Sequence, residues 1–192
     1  MGDQPTPAQT PPTDEDRESL LAGLSESLGE ILVDSHLRPH EDLWLRVKAP
    51  NWQDAARTAK AAGFTYFGFL SAIDWLIAPE GRYENTEFDS GLVEEDEEPV
   101  ELDASTGYAG GDTRFQLLMQ LYSLDRQLGL LLKADLGEDM TVDTLRDLFP
   151  GADWHEREAH EMFGITFRGH PTLHPLYLPT DFEGHPLRKD FP

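Results

Sequence analysis

The C-terminal stretch of the chain, from Asp153 to Pro192, reads DWHEREAHEMFGITFRGHPTLHPLYLPTDFEGHPLRKDFP. Its first part predicts a helix over 154–163. Asp153 and Glu156 have capping-box spacing, and Gly164 can end the helix in the left-handed conformation. Prolines at 171, 175, 179, 186 and 192 prevent regular structure beyond that point. The stretch therefore predicts a helix that leads into an extended, proline-rich arm over 165–192.

The arm contains one pattern twice, as Phe167-Arg-Gly-His-Pro171 and again as Phe182-Glu-Gly-His-Pro186. It also carries aromatic side chains that are unfavourable in water, and three cationic side chains. Such a segment is expected either to wrap its own domain or to dock on a partner. The aromatic residues are Phe167, Tyr177, Phe182 and Phe191, and the cationic residues are Arg168, Arg188 and Lys189.

The helix also suggests a metal site, because His155, Glu156 and His160 resemble the zinc-protease motif HExxH. In that motif the two histidines are four residues apart and share one helix face, whereas here they are five apart. Glu156 and His160 are four apart and can share an ion with His170 or His185. A metal-dependent hydrolase that uses Glu156, His160 and His170 is therefore a remote alternative. Arg157, between two glutamates, is a candidate member of a buried ion pair.

The rest of the chain predicts an α+β fold, a mixed or antiparallel sheet flanked by helices. Residues 1–13 predict a disordered tail, 14–164 the domain, and 79–112 an acidic, glycine-containing insertion with Glu94–Glu98 at its centre. Helices are predicted over 15–28, from Asn51 to Ala62 with Gly63 ending it, and from Thr141 through Leu148. Strands are predicted over 30–35, 42–48 and 64–77, and a hairpin over 113–123 and 127–134.

Composition limits the possible functions. The 192 residues carry a formal net charge of -22, which disfavours nucleic acids and direct contact with an anionic membrane. The absence of cysteine excludes disulfides, and zinc or iron–sulfur clusters held by cysteines of this chain. The sequence also has no glycine-rich phosphate loop and no GxSxG motif. We therefore expect no cofactor in this chain.

Four segments together resemble the signature of the 30 kDa-type (or C-type) subunit family of respiratory complex I, the NADH:quinone oxidoreductase. The similarity is dense over about 150–192 and looser upstream. The segments are Glu156-Arg-Glu158, Glu161-Met-Phe-Gly164, Gly169-His-Pro171 and Phe182-Glu-Gly-His-Pro-Leu-Arg-Lys-Asp-Phe-Pro192.

This resemblance implies a non-redox scaffold subunit of the peripheral arm, in a complex that passes electrons from NADH to a membrane quinone and translocates protons. FMN, iron–sulfur clusters and quinone would belong to other subunits. The implied partners are the quinone-site subunit and the terminal-cluster subunit, and the implied location is the cytoplasmic face of the plasma membrane, reached through the complex. The alternative is the equivalent subunit of a related membrane-bound hydrogenase or another quinone-linked dehydrogenase.

The resemblance also assigns interface residues. Two positions depart from the family pattern: Glu161 stands where Asp is frequent, and His174-Pro175 stands where a basic pair is usual. A histidine followed by proline cannot reproduce the contacts of two permanent cations. The assigned residues are Glu156, Arg157, Glu158, Glu161, Phe163, Gly164, Gly169, His170, Pro171, Gly184, His185, Pro186, Leu187, Arg188, Lys189 and Asp190.

Overall fold

The computed structural model describes residues 13–76 and 106–191. The predicted tail up to residue 12, most of the predicted insertion with its acidic run, and Pro192 lie outside the described residues. The described elements are α1 (Asp14–Leu28), β1 (Leu32–His36), β2 (Leu43–Lys48), α2 (Trp52–Ala61), β3 (Tyr66–Asp74), β4 (Phe115–Ser123), β5 (Leu128–Asp135), β6 (Thr141–Asp143), α3 (Ala152–Phe163) and β7 (Thr166–Arg168).

Five strands form one mixed sheet in the order β1-β2-β5-β4-β3, which confirms the predicted α+β class. Strands β2 and β5 run parallel, and the other neighbours run antiparallel. The registers place apolar side chains of successive strands side by side on one face. One row across four strands consists of Leu45, Leu132, Met119 and Leu70, all fully buried. Because strand side chains alternate, this face becomes the core and the other face is left for polar groups.

Helices α1 and α2 contribute to this core through apolar residues at helical spacing, such as Leu24 and Leu28 in α1 and Trp52 and Ala56 in α2. Gly63 follows α2 at φ +98°, a conformation that favours glycine, and so confirms the predicted end of that helix. Asn51 does hold the N-cap position, but its side chain makes no capping hydrogen bond, because a 3₁₀ turn over Ala49–Asn51 leads into α2 instead.

Helix α3 packs beside β3, one of the two edge strands of the sheet. The ring Nδ1 of His155 lies 3.1 Å from the carbonyl oxygen of Leu70, and the Phe67 ring packs edge-on against the His155 ring. An exposed strand edge invites pairing with other chains, and a helix that covers it removes that hazard. The same placement brings one face of α3 to the surface, where the arm begins.

Two predictions around α3 are wrong. Residues 141–143 form β6, which pairs in parallel with β7, and not the start of a helix through Leu148. Val142 is fully buried in this pair, as β-branched residues prefer. Helix α3 begins at Ala152 with Gly151 as N-cap, so Asp153 does not cap it. The Asp153 carboxylate instead accepts a hydrogen bond from Arg146 Nε at 2.7 Å.

The end of the predicted insertion, residues 106–112, packs against the second face of the sheet. Lys133 is 1% exposed, and its ammonium donates to the carbonyl oxygens of Thr106 and Tyr108. The Tyr108 ring stacks on His36 with centroids 4.6 Å apart. Gln116 donates to Gly110 O at 3.2 Å. These residues belong to the packed domain, because buried polar groups of the sheet need the carbonyl acceptors that they supply.

Candidate docking interface

One face of α3 carries three charged residues spaced four apart, Asp153, Arg157 and Glu161, which therefore lie in one row along the helix. Each of the three lies against the arm, and the arm follows the helix from its N-terminal to its C-terminal end. The opposite row, Ala152, Glu156, Ala159 and Phe163, is buried. The helix thus has an inner face for the core and an outer face for the arm.

Glu161 makes the densest contact with the arm. Its carboxylate accepts hydrogen bonds from three consecutive backbone N–H groups, those of Leu176 at 3.0 Å, Tyr177 at 3.0 Å and Leu178 at 2.6 Å. The residue is 8% exposed. Burial by itself would raise the pKa of Glu161, but the N–H groups of Tyr177, Leu178 and Leu176 outweigh it and lower the pKa below its usual value. The side chain is therefore an ionised acceptor that fixes this part of the arm.

Arg157 holds the preceding part of the arm. Its Nε donates to the carbonyl oxygen of His174 at 3.0 Å, and its Nη2 donates to that of Pro175 at 3.1 Å. Arg157 is half-buried and bonds main-chain carbonyls, so the predicted buried ion pair is wrong. The acceptors at His174-Pro175 are backbone carbonyl groups, so neither side chain takes part in this contact.

The end of the arm supplies the C-cap of α3. In every α-helix, the carbonyl oxygens of the last three residues have no N–H donor within the helix itself. In this chain Glu161 O faces His185 Nδ1 at 2.8 Å, Met162 O accepts from Leu187 N at 3.2 Å, and Phe163 O accepts from Arg188 Nε at 2.7 Å. All three acceptors are thereby satisfied by a segment more than twenty residues away.

Gly164 makes this cap possible. Its φ is +79°, as predicted for the residue after the helix. A Cβ at this position would lie 2.6 Å from both Arg188 Nη2 and His185 Nε2. Glycine is required here for both reasons: the backbone conformation and the close approach of the arm.

The last residues of the arm are held by an ion-pair chain. Asp74, at the end of β3, is 3% exposed and accepts from Arg114 Nε at 2.8 Å and Nη2 at 2.7 Å. Arg114 also pairs with Asp190 at 2.9 Å, and Lys189 N donates to Asp74 at 2.8 Å. Burial acts to raise the pKa of Asp74, but bonds from Arg114, Leu76 and Lys189 prevail and lower it to about 2. Hydrogen bonds to Asp74 and Asp190 raise the pKa of Arg114.

The start of the arm turns near the N-terminal end of α3. Gly169 has φ +82°, and His170 N donates to Phe167 O at 3.2 Å. The His170 side chain is fully buried, with its Nε2 3.8 Å from an Asp153 carboxylate oxygen. The following Pro171 is exposed. The two histidines of the repeated pattern, His170 and His185, thus lie at opposite ends of α3.

Glu156 belongs to the interior and not to the surface. It is fully buried, and its carboxylate accepts from Leu145 N at 2.6 Å and from the Thr144 hydroxyl. Burial raises the pKa of Glu156 to about 7, and the bonds from Thr144 and Leu145 act in the opposite direction. Glu156 therefore joins the segment that follows β6 to α3. Glu158, two residues on, is half-exposed.

Four large apolar side chains stay exposed on α3 and the arm: Trp154 at 61%, Tyr177 at 65%, Phe182 at 40% and Leu187 at 50%. We call these four residues the apolar docking surface. Phe182 is itself ordered, because its ring stacks on Phe191 and Gly184, at φ +100°, lets the Phe191 ring approach. Pro186 is half-buried. These exposed apolar side chains make α3 and the arm a candidate protein–protein contact site.

The three residues of the metal-site alternative do not converge. Glu156 bonds to Thr144 and Leu145. The Nδ1 of His160 lies 2.7 Å from Ile165 O, and the His170 ring faces Asp153. Among residues 13–76 and 106–191, no three His, Asp or Glu side chains are grouped so that they could hold a metal ion. In the same residues no helix is long and apolar enough to cross a membrane.

Sequence reasoning missed Asp74, Arg114 and Thr144 as partners of the signature residues. Asp74 and Arg114 flank the predicted insertion, at the ends of two strands, and only the sheet register brings them together. The spacing of Asp153, Arg157 and Glu161 was a usable signal, because residues four apart on a helix form a row.

Comparison with known proteins supports one assignment. Residues 45–192 match the family described as the respiratory-chain NADH dehydrogenase 30 kDa subunit. The chain is 46% identical over 85 residues to the C-subunit of the NADH-quinone oxidoreductase of Xanthobacter autotrophicus, over 44% of this chain and 41% of that protein. It is 52% identical over 79 residues to the C/D-subunit of the same enzyme in Cronobacter sakazakii, over 41% of this chain and 13% of that protein. The matched stretch thus spans less than half of either relative.

Two solved structures share the fold. Nqo5, in a structure of its trypsin-resistant fragment, superposes with a TM-score of 0.54 at 23% identity, over 81% of this chain and 98% of that one. A chain of the membrane-bound sulfane sulfur reductase, an archaeal respiratory membrane complex, superposes with a TM-score of 0.66 at 20% identity, over 92% of this chain and 85% of that one. At these identities the similarity concerns the fold alone.

Proposed function

The chain belongs to the 30 kDa subunit family of respiratory-chain NADH dehydrogenase, and from this we propose that it is a non-redox scaffold subunit in the peripheral arm of an NADH:quinone oxidoreductase. The observation that carries the proposal is the apolar docking surface. Its four residues lie on α3 and on the arm, which is hydrogen-bonded to α3 along the length of that helix. The docking surface therefore has a defined conformation before a partner binds.

Within that complex, electrons would pass from NADH to a membrane quinone with coupled proton translocation, through FMN, iron–sulfur clusters and quinone held by other subunits. The chain contains no cysteine, so it cannot ligate a cluster through thiolates. We assign the chemistry to its neighbours and the positioning of subunits to this chain.

The partners that we propose are the quinone-site subunit and the terminal-cluster subunit, at the cytoplasmic face of the plasma membrane. The distribution of charge supports a protein contact at the arm. The chain carries a net charge of -22, whereas residues 165–191 contain three cationic and three acidic side chains. Because these charges balance, the arm opposes the approach of an acidic partner less than the strongly acidic chain as a whole would.

The test is affinity purification of the tagged chain from native membranes, with identification of the subunits that accompany it. We expect a flavin-containing input module among them. A quinone- or hydrogen-linked complex without that module would assign the chain to a related enzyme instead. Recovery of the chain alone would contradict the proposal.

A second experiment tests the apolar docking surface. Trp154→Ser combined with Tyr177→Ser should reduce co-purification strongly, because aromatic side chains at the centre of an interface contribute most of the binding energy. Leu124→Ser is the matched control, since Leu124 is 63% exposed in the turn between β4 and β5, away from the arm. Equal recovery of both variants would show that the docking surface lies elsewhere.

A further inference from the structure

Three consecutive residues of the arm are arranged around one carboxylate. The backbone N–H groups of Leu176, Tyr177 and Leu178 all point at the Glu161 side chain, at 2.6 to 3.0 Å. Successive N–H groups that converge on one anion form a concave nest, which fixes the local backbone conformation. The Glu161 carboxylate of α3 thus binds the arm of the same chain.

The nest determines where the side chains of this segment point. Leu176 and Leu178, on either side, are half-buried, whereas the Tyr177 ring is 65% exposed. Tyr177 has the largest exposed fraction of the large apolar side chains in the described residues. A conformation that folds its two neighbours inwards is the one that turns its ring outwards.

We propose that Glu161 is a positioning residue for assembly, which presents Tyr177 in the orientation that the partner subunit binds. The inference rests on the proposed function and adds a specific role for one residue in it. Glu161 is itself 8% exposed, so it acts on the partner through the arm and not by direct contact. Preorganisation of this kind raises affinity because the binding-competent conformation does not have to be selected from a disordered ensemble.

The surrounding geometry supports this role. Arg157, one turn earlier on the same face of α3, holds the carbonyl groups of His174 and Pro175 and so brings the chain to the nest at a fixed position. His185 binds the main-chain carbonyl of Glu161 itself, so the returning arm closes over the same helical residue. The nest is therefore fixed from both sides.

The test compares Glu161→Gln with Glu158→Gln. Gln has nearly the same shape as Glu, but an NH2 donor replaces one of the two acceptor oxygens. The Gln side chain therefore cannot accept hydrogen bonds from all three N–H groups. Glu158 is on the same helix and loses the same charge, yet it is half-exposed and makes no side-chain hydrogen bond in the described residues. Each variant is produced in cells beside a differently tagged wild-type chain, and the ratio of the two chains in the purified complex is measured.

We expect Glu161→Gln to be incorporated about tenfold less than wild type, the size of effect that loss of a charge-assisted hydrogen bond produces, and Glu158→Gln to be incorporated equally. In the isolated full chain, hydrogen exchange at Leu176, Tyr177 and Leu178 should accelerate in Glu161→Gln, with unchanged protection in β4 and β5. That second measurement separates local release from failure to fold.

A double-mutant cycle distinguishes positioning from a general structural effect. If Glu161 acts through Tyr177, Glu161→Gln should add little to the loss caused by Tyr177→Ser, whereas its effect should multiply with that of Phe182→Ser, whose ring stacks on Phe191 at the end of the arm. Equal incorporation of Glu161→Gln and Glu158→Gln, or multiplicative losses with Tyr177→Ser, would overturn the inference while leaving the scaffold function intact. Failure of the wild-type chain to enter any multisubunit complex would overturn both.

Discussion

The Nε of Arg188 donates a hydrogen bond to the carbonyl oxygen of Phe163 at 2.7 Å, although 25 residues separate the two in sequence. This bond completes the C-terminal cap of α3, whose other two open carbonyls are bound by His185 and Leu187. The arm therefore stabilises the helix that supports it, and both are expected to loosen together.

Arg188→Met should lower the free energy of unfolding by about 1–3 kcal/mol, because it leaves a partly buried carbonyl without its charged donor. It also removes the guanidinium from above the Phe115 ring, 5.2 Å from the centroid. Arg168→Met is the control, since Arg168 is 56% exposed and pairs with Asp143 at the surface. Urea denaturation measures both, and equal losses would show that the cap contributes nothing beyond an ordinary surface ion pair.

Two glycine-to-alanine substitutions should change the stability of the chain in opposite directions. Gly164→Ala places a Cβ 2.6 Å from two arm side chains at φ +79°, and should destabilise the chain by about 1–2 kcal/mol or displace the arm. Gly23→Ala adds a methyl group within α1, where nothing lies within 4 Å, and should stabilise it by about 0.5–1 kcal/mol. Thermal unfolding of the two variants checks the signs. Stabilisation by Gly164→Ala would refute the close approach of His185 and Arg188.

Replacement of Glu156 should change how stability depends on pH. Because burial raises its folded-state pKa from 4.5 to about 7, the folded chain keeps this proton to higher pH than the unfolded chain. Its contribution to stability is therefore present below about pH 4.5 and is lost as pH rises through about 7, an effect of about 3 kcal/mol. Between these limits, the stability of wild type minus that of Glu156→Gln should fall by this amount.

Chemical denaturation at several pH values between 4.5 and 8 measures that difference directly. Glu158→Gln serves as the matched control, because it removes one carboxyl group from the same helix at a half-exposed position. A pH-independent difference for Glu156→Gln would mean that the Thr144 and Leu145 hydrogen bonds keep this side chain ionised in the folded chain.

Lys133→Met should release residues 106–112 from the sheet. The variant leaves the carbonyl oxygens of Thr106 and Tyr108 without their buried donor, at a cost of about 1–3 kcal/mol. Burial also lowers the pKa of Lys133 to about 8, so the wild-type chain should gain stability as pH rises from about 8 to 10.5, and the variant should lack this gain. Hydrogen exchange at Gly110 reports the release, and Lys48→Met, at an exposed position of β2, is the control.

Much of the domain could be predicted because its signals are local. The spacing of Leu24 and Leu28 indicates a helix, Gly63 marks the end of another, and the alternation of Leu117, Met119 and Leu121 indicates a strand with one buried face. Thr141–Asp143 misled sequence reasoning. A threonine before leucines at helical spacing also suits a helix, and only pairing with β7 makes these residues a strand.

The candidate interface was less accessible to sequence reasoning. The residues of the signature can be read from the chain, but their partners depend on contacts between distant segments. Glu156 and Glu161 illustrate this. Both are glutamates of one helix, yet the first binds Thr144 in the interior and the second binds the arm. The two residues are five positions apart, and the rotation of the helix over that distance turns their side chains to different faces.

The sequence by itself determined the composition of the core, the α+β class and the family, and it predicts a proline-rich arm, because each depends on spacing and residue type along the chain. Only the tertiary structure decided that the arm lies along α3 and caps it. It also decided that Asp74 and Arg114 hold the last residues of the arm, and that Lys133 anchors the residues before β4. Those outcomes depend on which carbonyls and carboxylates remain unpaired once the sheet and helices have formed, and a linear pattern does not contain that information.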